Sequence, residues 1–352
     1  MSRRLFTQLA FFATGLALVV VVLGAYVRLS DAGLGCPDWP GCYGQIAVPG
    51  ELSAVERANL SFPERPLEAA KAWKEMIHRY FAGALGLLIL ALAATAWVRR
   101  REPLQQIGLP VALVGLVIFQ ALLGMWTVTL LLKPVVVMAH LLGGLSTLGL
   151  LWWMSLRHSR LLQPVHASPA VLQGLRPWAL LGLVVLGVQI ALGGWTSANY
   201  AALQCTDFPT CQGEWWPPMD FTEGFVLWRG LGVDYEGGVL HNEARVAIHV
   251  MHRIGALVTL IYLGWLGIRV WRSSVSARLR SVAAAMLGLL TLQVSLGIAN
   301  ILLFLPLPVA AAHNAGAALL LLSLITLNHV VRPVGEPARE AAVALRTSPE
   351  VA

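Results

Sequence analysis

The fold class predicted is an all-α integral membrane protein of eight transmembrane helices, arranged as two parallel-repeat four-helix bundles. Three observations predict it. Only 12% of the 352 residues are charged and 57% are hydrophobic, whereas a soluble domain carries about 25% charged residues. Eight apolar runs are long enough to cross a hydrocarbon layer roughly 30 Å thick, which takes about 20 helical residues. The cysteines and histidines of the first half also return in the second, so the runs divide into two sets of four. The same numbers exclude a disordered tail, a fibrous repeat and a small disulfide-stapled module.

The runs lie near residues 9–29, 76–98, 108–132, 135–156, 178–199, 246–271, 282–303 and 308–331. Each is expected to be helical, because only a helix satisfies its own backbone in lipid. The first follows Arg3 and Arg4 but is too long for a signal-peptide core and lacks a small-residue cleavage site, so it reads as a retained helix. A cytoplasmic N-terminus places Arg3, Arg4, Arg99, Arg100, Arg101, Arg157, Arg160, Arg176, Arg269, Arg272, Arg278, Arg280, Arg332, Arg339 and Arg346 inside, 15 of the 25 basic residues. Outer segments then hold 14 of the 18 acids, leaving Glu102, Glu336, Glu340 and Glu350 inside. The positive-inside rule therefore predicts both termini in the cytoplasm. The net charge of +7 follows from this topology and calls for no nucleic acid. The extension after Arg332 is polar and expected to be mobile.

Two long connections, roughly 30–75 and 200–245, fall outside, and each opens on a cysteine pair: Cys36 with Cys42, and Cys205 with Cys211. Both pairs enclose five residues, which prompts a search for internal repetition. Glu75-Met-Ile-His78-Arg79 matches His249-Val-Met-His252-Arg253, and Gln120-Ala-Leu-Leu-Gly124 matches Gln293-Val-Ser-Leu-Gly297. Ala139-His140 pairs with Ala312-His313, at an offset of 173 against 169 for the cysteines. Four helices per unit is an even number, so both units sit the same way up, about an axis along the membrane normal.

His78, His140, His252 and His313 are each expected within about the first seven residues of an outside-to-inside helix, about 10 Å or less from the outer surface. Ionisable groups inside a membrane are costly and face a bundle interior or a cavity. Two imidazoles per bundle in an apolar sheath suit axial ligation of haem iron, whereas zinc wants more ligands close by. Arg79 and Arg253, one residue on, suit bidentate pairing with a haem propionate, and Arg28 at the outer end of the first run joins them as a cofactor-binding candidate. Gly83, Gly86, Gly143, Gly144, Gly255 and Gly316 would let a flat macrocycle approach the backbone. His158, His166, His241 and His329 receive no role, and His249, one turn from His252, is an accessory ligand or a supporting residue.

The halves also differ. Glu75 becomes His249, and Arg28 aligns with Ser197. A carboxylate one turn from a ligating histidine can move protons; its plainer reading is an interfacial acid paired with Arg79 or Lys74. The asymmetry suggests that one bundle does chemistry while the other holds a redox cofactor. The cysteine pairs sit where disulfides persist, as structural bridges or as a redox-active dithiol. Trp39, Trp73, Trp215, Trp216 and Trp228 read as interfacial anchors.

Together, Glu75-x-x-His78-Arg79, His252-Arg253, His140, His313 and the two cysteine pairs resemble the haem A synthase family of bacterial plasma membranes, the CtaA type, over about residues 5–331. The resemblance implies an oxidoreductase that acts on a CH group, oxidising a methyl of haem O to a formyl through successive hydroxylations to a gem-diol that loses water. The haem A formed serves terminal oxidase assembly. It further implies that residues 1–165 form the catalytic bundle, receiving substrate haem between His78 and His140 with Glu75 as the functional carboxylate. Residues 166–352 form the bundle holding haem b between His252 and His313, with a polar tail. Membrane lipid, haem O, a haem O synthase and a quinol or redox-protein electron donor are the implied partners, since no flavin or nicotinamide fingerprint is present. The alternative is a dihaem b-type electron-transfer protein passing electrons from quinol to an acceptor. A transporter of parallel repeats is disfavoured because the histidines and charges cluster at the outer edge.

Overall fold

The computed structural model describes residues 3–102, 106–159, 162, 169–273 and 276–332. Arg160, His166, Arg339, Arg346, Glu336, Glu340, Glu350, the 165/166 boundary and the polar tail lie outside the described residues. Among the described residues ten helices follow one another: α1 (Arg3–Leu29), α2 (Leu52–Ser61), α3 (Ala69–Val98), α4 (Gly108–Thr129), α5 (Pro134–His158), α6 (Pro169–Ala198), α7 (Phe221–Gly224), α8 (Asn242–Ser273), α9 (Ala277–Leu302) and α10 (Leu307–Val330). Eight are long and apolar enough to cross a membrane; the shortest, α4, has 22 residues and spans about 33 Å at about 1.5 Å per residue. The other two, α2 and α7, lie in the long connections, where no apolar run marks them.

The eight long helices close into two rings. In the first, α1 packs on α3 and α5, and α4 packs on the same two; in the second, α6 and α9 each pack on α8 and α10. The rings meet through α1 on α10, α5 on α6 and α5 on α10, the seam expected of two side-by-side four-helix bundles. Leu85, Ile89, Leu92, Leu148 and Leu151 fill the first ring, and Leu263, Leu266, Leu290, Leu320 and Leu324 the second. Leu87 and Ile118 face outward, as residues against lipid tails do.

The backbone repeats at the offsets of the sequence. Left-handed residues occur at Asp31 and Tyr200, Tyr43 and Gln212, and Gly44 and Gly213, each pair 169 apart. Leu131 and Leu132 match Phe304 and Leu305, 173 apart. In the last two pairs the chain turns sharply out of α4 or α9, and Pro134 and Pro308, at the starts of α5 and α10, are pre-set for the helical φ.

One expectation needs correction. His78 is the tenth residue of α3 and His252 the eleventh of α8, not among the first seven. Both helices begin one to two turns before the apolar run, in the polar stretches Lys71–Lys74 and Asn242–Arg245. Position within the helix and position within the apolar run therefore differ.

Candidate functional site

The four repeated histidines lie on diagonal helices. Neither α3 and α5 nor α8 and α10 pack directly on each other, so His78 and His140 meet across the interior of one ring, and His252 and His313 across the other. Members of each pair are close enough for the charge of one to act on its partner. Each imidazole is seated against a glycine of a neighbouring helix. A Cβ added at Gly24 would lie 2.9 Å from Cε1 of His78, at Gly124 3.4 Å from His140, at Gly193 3.1 Å from His252 and at Gly297 3.1 Å from His313.

The glycines singled out from the sequence serve otherwise. Gly83 and Gly86 face open space, Gly144 approaches Val21, and Gly143, Gly255 and Gly316 make room for the amides of Gln120, Gln189 and Gln293. A larger residue at a glycine seat forces the ring off its rotamer, at a cost of about 1–3 kcal/mol. Gly24→Ala is therefore expected to lower the thermal midpoint in detergent more than Gly124→Ala, where the contact is ordinary. Equal melting of the two variants would refute the seat.

Several buried polar atoms at this level have no hydrogen-bond partner among the described residues: Nδ1 of His78, His140 and His313, Nε2 of Gln120, and Oε1 of Gln189 and Gln293. A buried polar atom left unpaired costs about 1–3 kcal/mol. Paired imidazoles facing across a four-helix interior fit axial ligation of a haem in each bundle. Among the described residues no group of three or more His, Cys, Asp or Glu gathers as a metal site; the histidines come in twos.

The cysteine loops sit directly on these pairs. Cys36–Cys42 and Cys205–Cys211 are disulfides, and the two loops are built alike. Asp38 accepts from the N–H groups of Tyr43 (2.6 Å) and Gly44 (2.7 Å); Asp207 accepts from Gln212 (2.7 Å) and Gly213 (3.0 Å). Arg79 donates to the carbonyls of Asp38 and Gly41, and Arg253 to those of Asp207 and Thr210. The arginine after each histidine thus ties the disulfide loop to the helix that bears the histidine, a use the sequence alone does not reveal.

Position 75/249 makes the same link. Glu75, 5% exposed, accepts the Cys36 N–H through Oε2 at 2.9 Å and pairs through Oε1 with Arg79 at 2.5 Å. In the second half the Cys205 N–H meets Nδ1 of His249 at 3.3 Å, so His249 is turned toward the loop. Lys74 instead lies over the Tyr26 ring. Arg28 donates to the Ser197 carbonyl at 2.6 Å, at the negative end of α6, and covers the Tyr200 ring. Because Ser197 is its own repeat counterpart, this contact lies on the seam between the halves. Among the tryptophans read as anchors, Trp228 also stacks under the Lys133 ammonium at 3.5 Å. His241 faces Asp220 and Glu243, and His329 is buried beside Trp153.

The Asp207 carboxyl is held down to about 2, first by the Thr210 hydroxyl and then by the Gly213 and Gln212 amides. Its folded value lies below the unfolded one of about 3.9, so its contribution is complete above that value and disappears as pH falls through about 2. Hydrogen exchange of peptides covering 205–214 is expected to stay slow at pH 5 and to rise, beyond the intrinsic pH effect, between pH 4 and 2. Asp207→Asn should abolish that step; an unchanged step in the variant would exclude Asp207 as its cause.

Sequence reasoning missed Gly24, Gly124, Gly193, Gly297 and Gln189. The glycines had a signal, since both pairs fall at the repeat offsets.

The chain matches the COX15-CtaA family of cytochrome oxidase assembly proteins over residues 7–325. It is 49% identical to a heme A synthase of Shewanella oneidensis over 313 residues, covering 89% of this chain and 92% of that relative. A heme A synthase of Caulobacter vibrioides is 27% identical over 88% of this chain and 91% of its own length. The heme A synthase COX15 of Arabidopsis thaliana is 26% identical over 95% and 74%. Since the family match runs from α1 into α10 and takes in both histidine pairs and both disulfide loops, this multi-pass membrane protein belongs to the COX15-CtaA family of cytochrome oxidase assembly proteins.

Proposed function

We propose that this chain makes haem A by oxidising a methyl group of haem O to a formyl group, as an oxidoreductase acting on a CH group. The observation that carries the reading is the pairing of like sites with unlike neighbours: two diagonal histidine pairs, only one of which has a buried carboxylate a turn away. In this reading His78 and His140 hold the substrate haem in the bundle of residues 1–165. His252 and His313 hold a resident haem b in the bundle of residues 166–352, which would supply one-electron chemistry. The membrane is the bacterial cytoplasmic membrane, with both termini inside and the disulfide loops on the periplasmic face. A quinol or a redox protein exchanges electrons there, and a haem O synthase delivers substrate.

The protein's own groups divide the work. Glu75 is the proton-transfer group beside the substrate pair, kept in place by the Cys36 N–H and paired with Arg79. The outer-rim arginines Arg28, Arg79 and Arg253 would be the groups to pair with the propionates of a bound haem; the Nε atoms of Arg28 and Arg253 are buried without partners. Glycine seats hold the imidazoles at fixed angles. The closed interior of each bundle keeps water from the apolar face of the macrocycle.

The test is to express the protein with and without a haem O synthase, extract the haems, and separate them by reversed-phase chromatography beside an absorption spectrum. Haem A only in the presence of the upstream enzyme, beside retained haem b, is expected. Haem b alone in both backgrounds would make the chain a dihaem electron-transfer protein instead.

A further inference from the structure

The two histidine pairs differ in what supports them. Nδ1 of His252 lies 3.1 Å from the Gln189 amide nitrogen on α6, which also reaches the His252 carbonyl at 3.1 Å. Across the same ring, the Gln293 amide lies 3.3 Å from Nε2 of His313. In the first half, the residue 169 positions before Gln189 is Val20, which has no donor or acceptor on its side chain and meets His78 through its backbone alone. Nδ1 of His78 is buried without a partner, and so is the amide nitrogen of Gln120, the counterpart of Gln293. Both pairs have glycine seats, but only the second has side-chain amides within hydrogen-bond reach of its ring nitrogens.

Resting on the haem reading above, we propose that Gln189 is the positioning residue that makes the His252–His313 pair a permanent cofactor site. Its absence at Val20 leaves His78 free to exchange the substrate haem. The physical reason lies in the ring proton. An imidazole that binds metal through Nε2 carries its proton on Nδ1, and a partner at Nδ1 fixes the tautomer, the ring orientation and the basicity of the ligand. As placed, Gln189 donates to Nδ1 and its Oε1 has no partner. Turning the amide over, which exchanges two atoms of nearly equal size, presents Oε1 to the Nδ1 proton in exchange for the bond to the His252 carbonyl. Gly255 makes room for that amide, since a Cβ there would overlap Oε1 of Gln189. His78 has the glycine seat and the backbone of Val20 but no side-chain amide on its ring. Its tautomer is therefore less firmly fixed than that of His252, as a site that must load haem O and release haem A requires.

Outer partners of ligating histidines typically alter metal affinity 10- to 100-fold. The test uses the full-length protein in detergent, loaded with haem b in cells that make no haem O. Haem loss is timed with excess apomyoglobin as the trap, and the low-spin ferric signal is recorded by electron paramagnetic resonance. Gln189→Leu is expected to lose haem b about tenfold or more faster and to shift the low-spin signal. Gln189→Glu, which still accepts from Nδ1, should keep the slow loss and lower the reduction potential. Val20→Gln, in protein loaded with haem O, should slow the loss of that haem by a similar factor. Wild-type loss rates and signals in both Gln189→Leu and Gln189→Glu would overturn the proposal. His252→Ala separates this failure from a failure of the haem reading: if that variant loses haem b while Gln189→Leu does not, the support role alone is wrong. Full retention of haem b in His252→Ala would remove both.

Discussion

Replacing His252 or His313 with alanine is expected to strip haem b from the protein, lowering haem per chain more than tenfold and abolishing the low-spin spectrum. Each substitution removes one of two axial ligands. At His252 it also removes the ring partner of the Gln189 amide and opens a cavity beside Gly193, whose lining has nothing to pack against. His78→Ala, on the diagonal of the other ring, should leave haem b in place and stop conversion of haem O. The contrast between the variants carries the test, because a general loss of fold would affect both alike. A normal low-spin spectrum in His252→Ala or His313→Ala would refute the ligand pairing.

Glu75→Gln is expected to leave haem b bound and to cut haem A formation at least about a hundredfold, the scale on which a positioned proton-transfer group acts. Glutamine has the size of glutamate and can still accept the Cys36 N–H, so the disulfide loop should stay seated. Arg79 keeps its anchors on the Asp38 and Gly41 carbonyls. What is lost is the ionisable carboxyl paired with Arg79. Glu75→Ala removes the acceptor as well and should also loosen the loop, which peptides covering 35–45 would report by faster hydrogen exchange. Undiminished haem A in Glu75→Gln would exclude the carboxylate from the chemistry.

Much of the site was legible along the chain because its signals are local. An imidazole in a run of leucines is conspicuous wherever the run folds, and a duplicated motif shows itself by spacing alone. The reading of Arg79 and Arg253 was narrower than their role, since the carbonyls they hold lie about 40 residues upstream and carry no side-chain signature. Gly24 and Gly193 were passed over because glycine is common in membrane helices; only the ring lying against each gives it meaning. Glu75 and His249 looked like a simple exchange of acid for imidazole. In the folded chain they also share a task, receiving the N–H of the first cysteine in each loop.

By itself the sequence determined the eight spans, the duplication, the two histidine pairs and the lone carboxylate, because hydropathy and repeat spacing follow from residue order. Only the tertiary structure decided that each pair sits on diagonal helices and which glycine supports each ring. It alone decided that the Gln189 side-chain amide reaches the His252 ring, while at Val20 only the backbone meets His78. Those facts depend on which helices become neighbours, and neighbours are set by packing across 20 to more than 60 residues of chain, a distance over which no local pattern carries information.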